Sequence, residues 1–97
     1  MTSRVNHPTN HPTLRHRLAS MLEQHLDRAD QCDQDDPALE AHLTAAVQLS
    51  AALRRVANGT YGICRQCDGP IGAQRLEAVP AAALCIPCEQ RPRPFLI

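Results

Sequence analysis

The stretch Cys32-Asp33-Gln34-Asp35-Asp36-Pro37-Ala38-Leu39-Glu40 decides how this 97-residue chain folds. On either side of it apolar residues recur at helical spacing, and within it the pattern breaks. Asp36-Pro37 is a helix start signal: an aspartate side chain caps free N–H groups, and proline's fixed φ suits the first helical position. The stretch therefore separates two helices. It also gathers Asp33, Asp35 and Asp36 with no basic residue among them.

Upstream, Leu14, Leu18, Leu22, Leu26 and Ala29 recur every three or four residues with Met21 beside them, which makes one apolar stripe on a helix. Thr13 is the expected N-cap. Downstream, Leu39, Leu43, Ala46, Leu49, Leu53 and Val56 form a second stripe, ended by Asn58-Gly59, where glycine takes the left-handed cap conformation. The spacing predicts helices of about 19 and about 21 residues joined by a turn of about five. A connection that short makes neighbours antiparallel. Residues 13–57 thus read as an antiparallel two-helix coiled-coil hairpin about 30 Å long, with the acidic bend 32–37 at its far end. His25 and His42 lie at similar distances from the bend, where they can face each other, and read as rim residues.

The chain is long enough for one domain with tails. It has one Phe, one Tyr and no Trp, so large core anchors are scarce, and scaffolds of this size need a staple. Many positions on the hairpin seam are Ala or Ser, which strengthens that need. Net charge is zero but uneven: Glu23 to Glu40 holds seven acidic residues against Arg28, and each flank carries +3. All ten positive charges are Arg. An acidic middle disfavours sequence-independent DNA binding, which rests on neutralising phosphates. No apolar run approaches a membrane span of about 20 residues, and no hydrophobic leader is visible, so a cytoplasmic protein is expected. Residues 1–12, with the repeated Asn-His-Pro-Thr at Asn6 and Asn10, read as a disordered tail whose His7 and His11 are part of a flexible leader rather than ligands.

The staple is Cys64-Arg65-Gln66-Cys67 with Cys85-Ile86-Pro87-Cys88, a C-x2-C-x17-C-x2-C pattern. Four thiolates at this spacing suit one tetrahedral Zn2+, and with no position left for water the site is structural. In a cytoplasmic setting cysteines hold metal more often than they form disulfides. Arg65 and Arg75 are candidate compensators of the site's negative charge. Gly69 is expected to ease the first knuckle, and Pro87 to remove an N–H from the second while starting a short C-terminal helix that Pro92 and Pro94 stop. Arg75 to Val79 reads as a short strand. The module spans 58–91, followed by a tail, 92–97.

The run Asn58 to Gln90 resembles the C4 zinc-finger module of the DksA/TraR family, through Gly59-Thr60-Tyr61-Gly62, Ile71, Arg75-Leu76-x-Ala78, Pro80 and the four cysteines. The resemblance implies a mainly α protein: a helical hairpin ahead of the finger, a single zinc held by Cys64, Cys67, Cys85 and Cys88, and a binding role rather than an enzymatic one. It also implies a transcription regulator that enters the secondary channel of bacterial RNA polymerase and changes promoter-complex stability. The family's tip motif Asp-x-x-Asp-x-Ala is matched by Asp33, Asp36 and Ala38, which would approach the polymerase active site. A monomer without direct sequence-specific DNA binding follows. The chain departs from the family at Asp68, where glycine is common, and in its short final segment. It also has no Lys, which leaves binding of the alarmone ppGpp without support.

Three other readings compete. A nucleic-acid-binding zinc ribbon would use Arg54, Arg55, Arg65 and Arg75, but the chain has almost no aromatic surface for base stacking, and solvated arginines explain them as simply. A transcript-cleavage helper would use the acidic tip to hold a second Mg2+ in polymerase. A redox sensor at Cys32 is disfavoured because neighbouring aspartates suppress the thiolate.

Overall fold

A computed structural model describes residues 12–91. The expected disordered tail, its His7 and His11, and the tail 92–97 lie outside the described residues, apart from Pro12. Four helices follow one another: α1 Pro12–Asp30, α2 Pro37–Asn58, α3 Ala73–Ala78 and α4 Ile86–Gln90. Among the described residues there is no strand, only an isolated antiparallel bridge between Ile63 and Pro70.

α1 begins at Pro12, so Thr13 lies inside the first turn rather than capping it. Proline is preorganised for that first position. α1 ends as Gln31 N–H donates to Arg28 O and Cys32 N–H to Ala29 O, both at 3.1 Å. α2 starts as its sequence predicts. Asp36 sits extended at φ −73°, ψ 122°, and its side chain accepts from Ala38 N–H at 2.9 Å. It ends on Gly59 at φ 78°, where Gly59 N–H donates to Val56 O and Thr60 N–H to Arg55 O. This is a Schellman cap, which needs a left-handed residue that glycine supplies without a Cβ clash.

The two long helices pack side by side as an antiparallel hairpin, at about 1.5 Å per residue an arm a little over 30 Å long. Leu18, Leu49, Ala52, Val56 and Tyr61 form its buried core, with Leu14, Met21, Leu22 and Leu53 packed against them. The expected stripe drifts from this seam. Each four-residue step overshoots a helical turn by about 40°. By Leu26 the drift has carried the side chain outward, where it is half-exposed, as is Leu43. The seam instead runs Leu18, Leu22, His25, Ala29 on α1, spaced 4-3-4, the coiled-coil rhythm. His25 and His42 face each other as their distances from the bend allow, with Nδ1 atoms 3.0 Å apart, and they lie in the seam itself.

The finger folds back against the end of the arm nearest Gly59. Tyr61 is buried and its hydroxyl donates to Pro80 O at 2.6 Å. Arg55, buried on α2, donates from Nη2 to Ala81 O at 3.3 Å. Leu76 packs against both the arm core and the cysteine cluster. It does so from α3: the segment expected as a strand is a short helix through Ala78, with only Val79 beyond it. Val79 favours a strand, but Leu76 alone needs burial, and one helical turn delivers it to both clusters.

Candidate metal centre and acidic tip

Two short loops bring the cysteines together. In the first, Cys64 N–H donates to Gly69 O at 2.7 Å and Asp68 N–H to Cys64 O at 2.9 Å, closing a tight turn around Cys67. The left-handed residue of this turn is Asp68, at φ 64°, while Gly69 is not left-handed. The expectation placed on Gly69 therefore belongs to its neighbour, and aspartate tolerates this backbone better than most residues. Gly69 contributes its N–H, which donates to Cys67 Sγ at 3.4 Å, as Gln66 N–H does to Cys64 Sγ at the same distance. In the second loop Cys85 precedes the first turn of α4, and Pro87 occupies the place where a second such N–H would stand. Arg65 N–H donates to Ala83 O at 2.9 Å and ties the two loops together.

The four sulfurs of Cys64, Cys67, Cys85 and Cys88 lie within 4.8 Å of one another. Cys67 Sγ and Cys85 Sγ are 3.8 Å apart, the separation expected of two corners of a tetrahedron with Zn–S bonds of about 2.3 Å. Cys64, Cys85 and Cys88 are buried among Ile71 and Ala82, and Cys67 is exposed. Burial pushes the Cys64 thiol up, but N–H groups of Cys67, Cys85 and Gln66 outweigh it and bring the pKa down to about 6. Burial and the three neighbouring sulfurs push Cys88 up to about 12. Four thiols packed this closely cannot all ionise without a cation between them, so the donor set fits one structural Zn2+. Backbone N–H groups, rather than Arg65 or Arg75, make the hydrogen bonds to sulfur. Arg65 is exposed, and Arg75 Nε has no hydrogen-bond partner among the described residues.

At the other end of the arm, Asp33, Asp35, Asp36 and Ala38 are all exposed on the bend between α1 and α2. Asp36 N–H donates to Asp33 O at 3.0 Å, which tightens the turn that carries both residues of the motif. Partial burial, then the charge and hydrogen bond of Asp36, then Asp33, push the Cys32 thiol up. Each of these effects favours the protonated thiol.

Residues 59–92 match the family described as the prokaryotic dksA/traR C4-type zinc finger. That segment is a zinc finger of the DksA/TraR type. A Caulobacter vibrioides protein named RNA polymerase-binding transcription factor DksA is 36% identical over 80 residues, which are 76% of this chain and 56% of that protein. The protein of the same name from Escherichia coli K12 is 40% identical over 42 residues, covering 43% of this chain and 28% of its own. The match thus spans about half the length of the Caulobacter relative and less of the other. The solved structure of transcription factor DksA2 from Pseudomonas aeruginosa superposes with a TM-score of 0.52 at 28% identity, over 78% of this chain and 71% of that one. That overlap extends the likeness beyond the finger into the arm.

Two side chains that hold the finger to the arm follow from no sequence pattern of their own. Tyr61 and Arg55 bind finger to arm through backbone carbonyls that lie 19 and 26 residues away. Arg55, expected among the solvated arginines, is buried. Burial, then the nearby Arg65 charge, lowers its pKa. The one available signal was that Tyr61 is the chain's only tyrosine and stands directly after the cap of α2.

Proposed function

We propose that the protein binds bacterial RNA polymerase through the secondary channel and places Asp33, Asp36 and Ala38 near the catalytic Mg2+, altering the lifetime of promoter complexes. The observation that carries this reading is the placement of the exposed carboxylates at the arm's free end, opposite the finger. There, water solvates the free tip, and a narrow partner cavity of low dielectric strengthens its field. The names of the relatives support polymerase as the partner. In this reading residues 58–91 are a rigid handle, residues 13–57 are the arm, and the action is binding without chemistry on the chain itself. A cytoplasmic monomer that leaves DNA contacts to polymerase completes the proposal. No helix among the described residues is long and apolar enough to cross a membrane.

The test is retention of purified bacterial RNA polymerase by the tagged full chain, with a photo-crosslinker replacing Gln34. The reading expects crosslinks to residues lining the channel near the catalytic Mg2+. Failure to retain polymerase, or crosslinks confined to its outer surface, refutes it.

A further inference from the structure

One rung of the arm is built against the packing logic of the rest. Leu18 and Leu49 share the arm core. Seven residues further along α1 stands His25, and seven back along α2 stands His42, so the histidines form the same rung two turns nearer the bend. A leucine pair at this rung would bury more apolar surface, and a polar pair in a coiled-coil seam costs stability. Both histidines are half-buried, and the neighbouring seam positions Ala29 and Ala46 are small and buried. The ring centroids are 5.2 Å apart at a tilt of 45°, and the two Nδ1 atoms converge at 3.0 Å.

We infer that His25 and His42 form a two-point chelating site for a divalent transition metal that takes imidazoles in neighbouring positions, the chemistry of Ni2+ and Cu2+, and that the ion staples the arm near its tip. Imidazole nitrogens sit about 2.0–2.1 Å from an ion of this size. Two such ligands at a right angle are then about 2.9 Å apart, and at a tetrahedral angle about 3.4 Å. The observed 3.0 Å matches the right angle, which tetragonal Ni2+ and Cu2+ prefer. The molecule thereby sorts its metals: four thiolates in the finger suit zinc, and two imidazoles in the arm accept Ni2+ or Cu2+. Water fills the open positions on the solvent side. A neutral pair sharing one N–H has the same heavy-atom distance, so the discriminating property is uptake of the ion.

The test is calorimetric titration of Ni2+ into the zinc-loaded full chain, with thermal melts alongside. Wild type is expected to take one Ni2+ and to melt at a temperature that rises with Ni2+ concentration. Loss of an outer-shell partner alone weakens a metal site about 10–100-fold, so His25→Leu and His42→Leu should each weaken Ni2+ binding at least ~10-fold and abolish the thermal shift. Because leucine fills the seam, neither variant should melt below wild type without Ni2+, which separates a lost ligand from a lost fold. Wild type that takes no Ni2+, or leucine variants that bind it as tightly as wild type, overturns the inference. Polymerase plays no part in the assay, so its outcome is independent of the function proposed above.

Discussion

In the arm, α2 lies along α1 and the seam closes over Leu18, Leu49, Ala52 and Val56. In the finger, helices of six and five residues and two loops converge on four sulfurs, with Ile71 and Ala82 as the other buried hydrophobic side chains of that cluster. The arm is held by many small contacts repeated along a helix, so no single contact defines it. The finger has too little apolar surface to fold alone, and one ion replaces the missing core. The two meet at Tyr61, Arg55 and Leu76. A rod built on repetition is thus fixed at its base by a unit built on one ligand set, which is a way to hold a charged tip at a set distance.

Arm and finger part most visibly when the metal is removed. Structural zinc contributes on the order of 10–16 kcal/mol in small domains. Chelation, or Cys88→Ser, should therefore unfold residues of the finger while far-UV circular dichroism keeps much of the α1–α2 signal at low temperature. Loss of both signals together would show that the arm has no stability of its own. The same site has a pH signature. Burial and the neighbouring sulfurs push the Cys88 thiol up to about 12 without metal, and zinc takes cysteine as the thiolate. Zinc loading at neutral pH should therefore release protons, and affinity should fall as pH falls, because protons compete for the ligands. A weakly buffered titration with a pH indicator measures the release.

Damage to the arm should be smaller. Leu18 is fully buried, and Leu→Ala at such sites costs about 2–5 kcal/mol. Leu18→Ala should lower the arm's melting temperature without changing zinc stoichiometry, and a loss of zinc would mean that the finger depends on the arm. The smallest effect belongs to the junction. Tyr61→Phe removes the donor to Pro80 O, a loss of about 1 kcal/mol, and should loosen the angle between arm and finger more than it destabilises either. Amide exchange at Ala81 to Ala83 reports that loosening.

Much of this architecture is legible in the residues because its determinants are local. Asp36-Pro37 and Asn58-Gly59 punctuate α2 by cap chemistry alone, and the cysteine spacing states its own ligand set. The seam was harder. A four-residue period looks continuous in sequence, yet it drifts, which turns Leu26 outward and brings His25 from the rim into the seam. The segment around Leu76 carried a strand-like valine but answered to a burial demand from two clusters, which local propensity does not register. Asp68 and Gly69 exchanged roles because both residue types permit a left-handed backbone. Contacts such as Tyr61 to Pro80 depend on how finger and arm dock, and no local pattern encodes that.

The tip assignment is tested most directly by Asp33→Asn combined with Asp36→Asn, assayed for promoter-complex lifetime with purified polymerase. Asparagine caps a helix as well as aspartate does, so α2, the zinc site and polymerase retention should be unchanged. The prediction is a variant that still binds polymerase and no longer alters the lifetime. A variant that alters it as wild type does would contradict the central claim that the arm acts through its carboxylates.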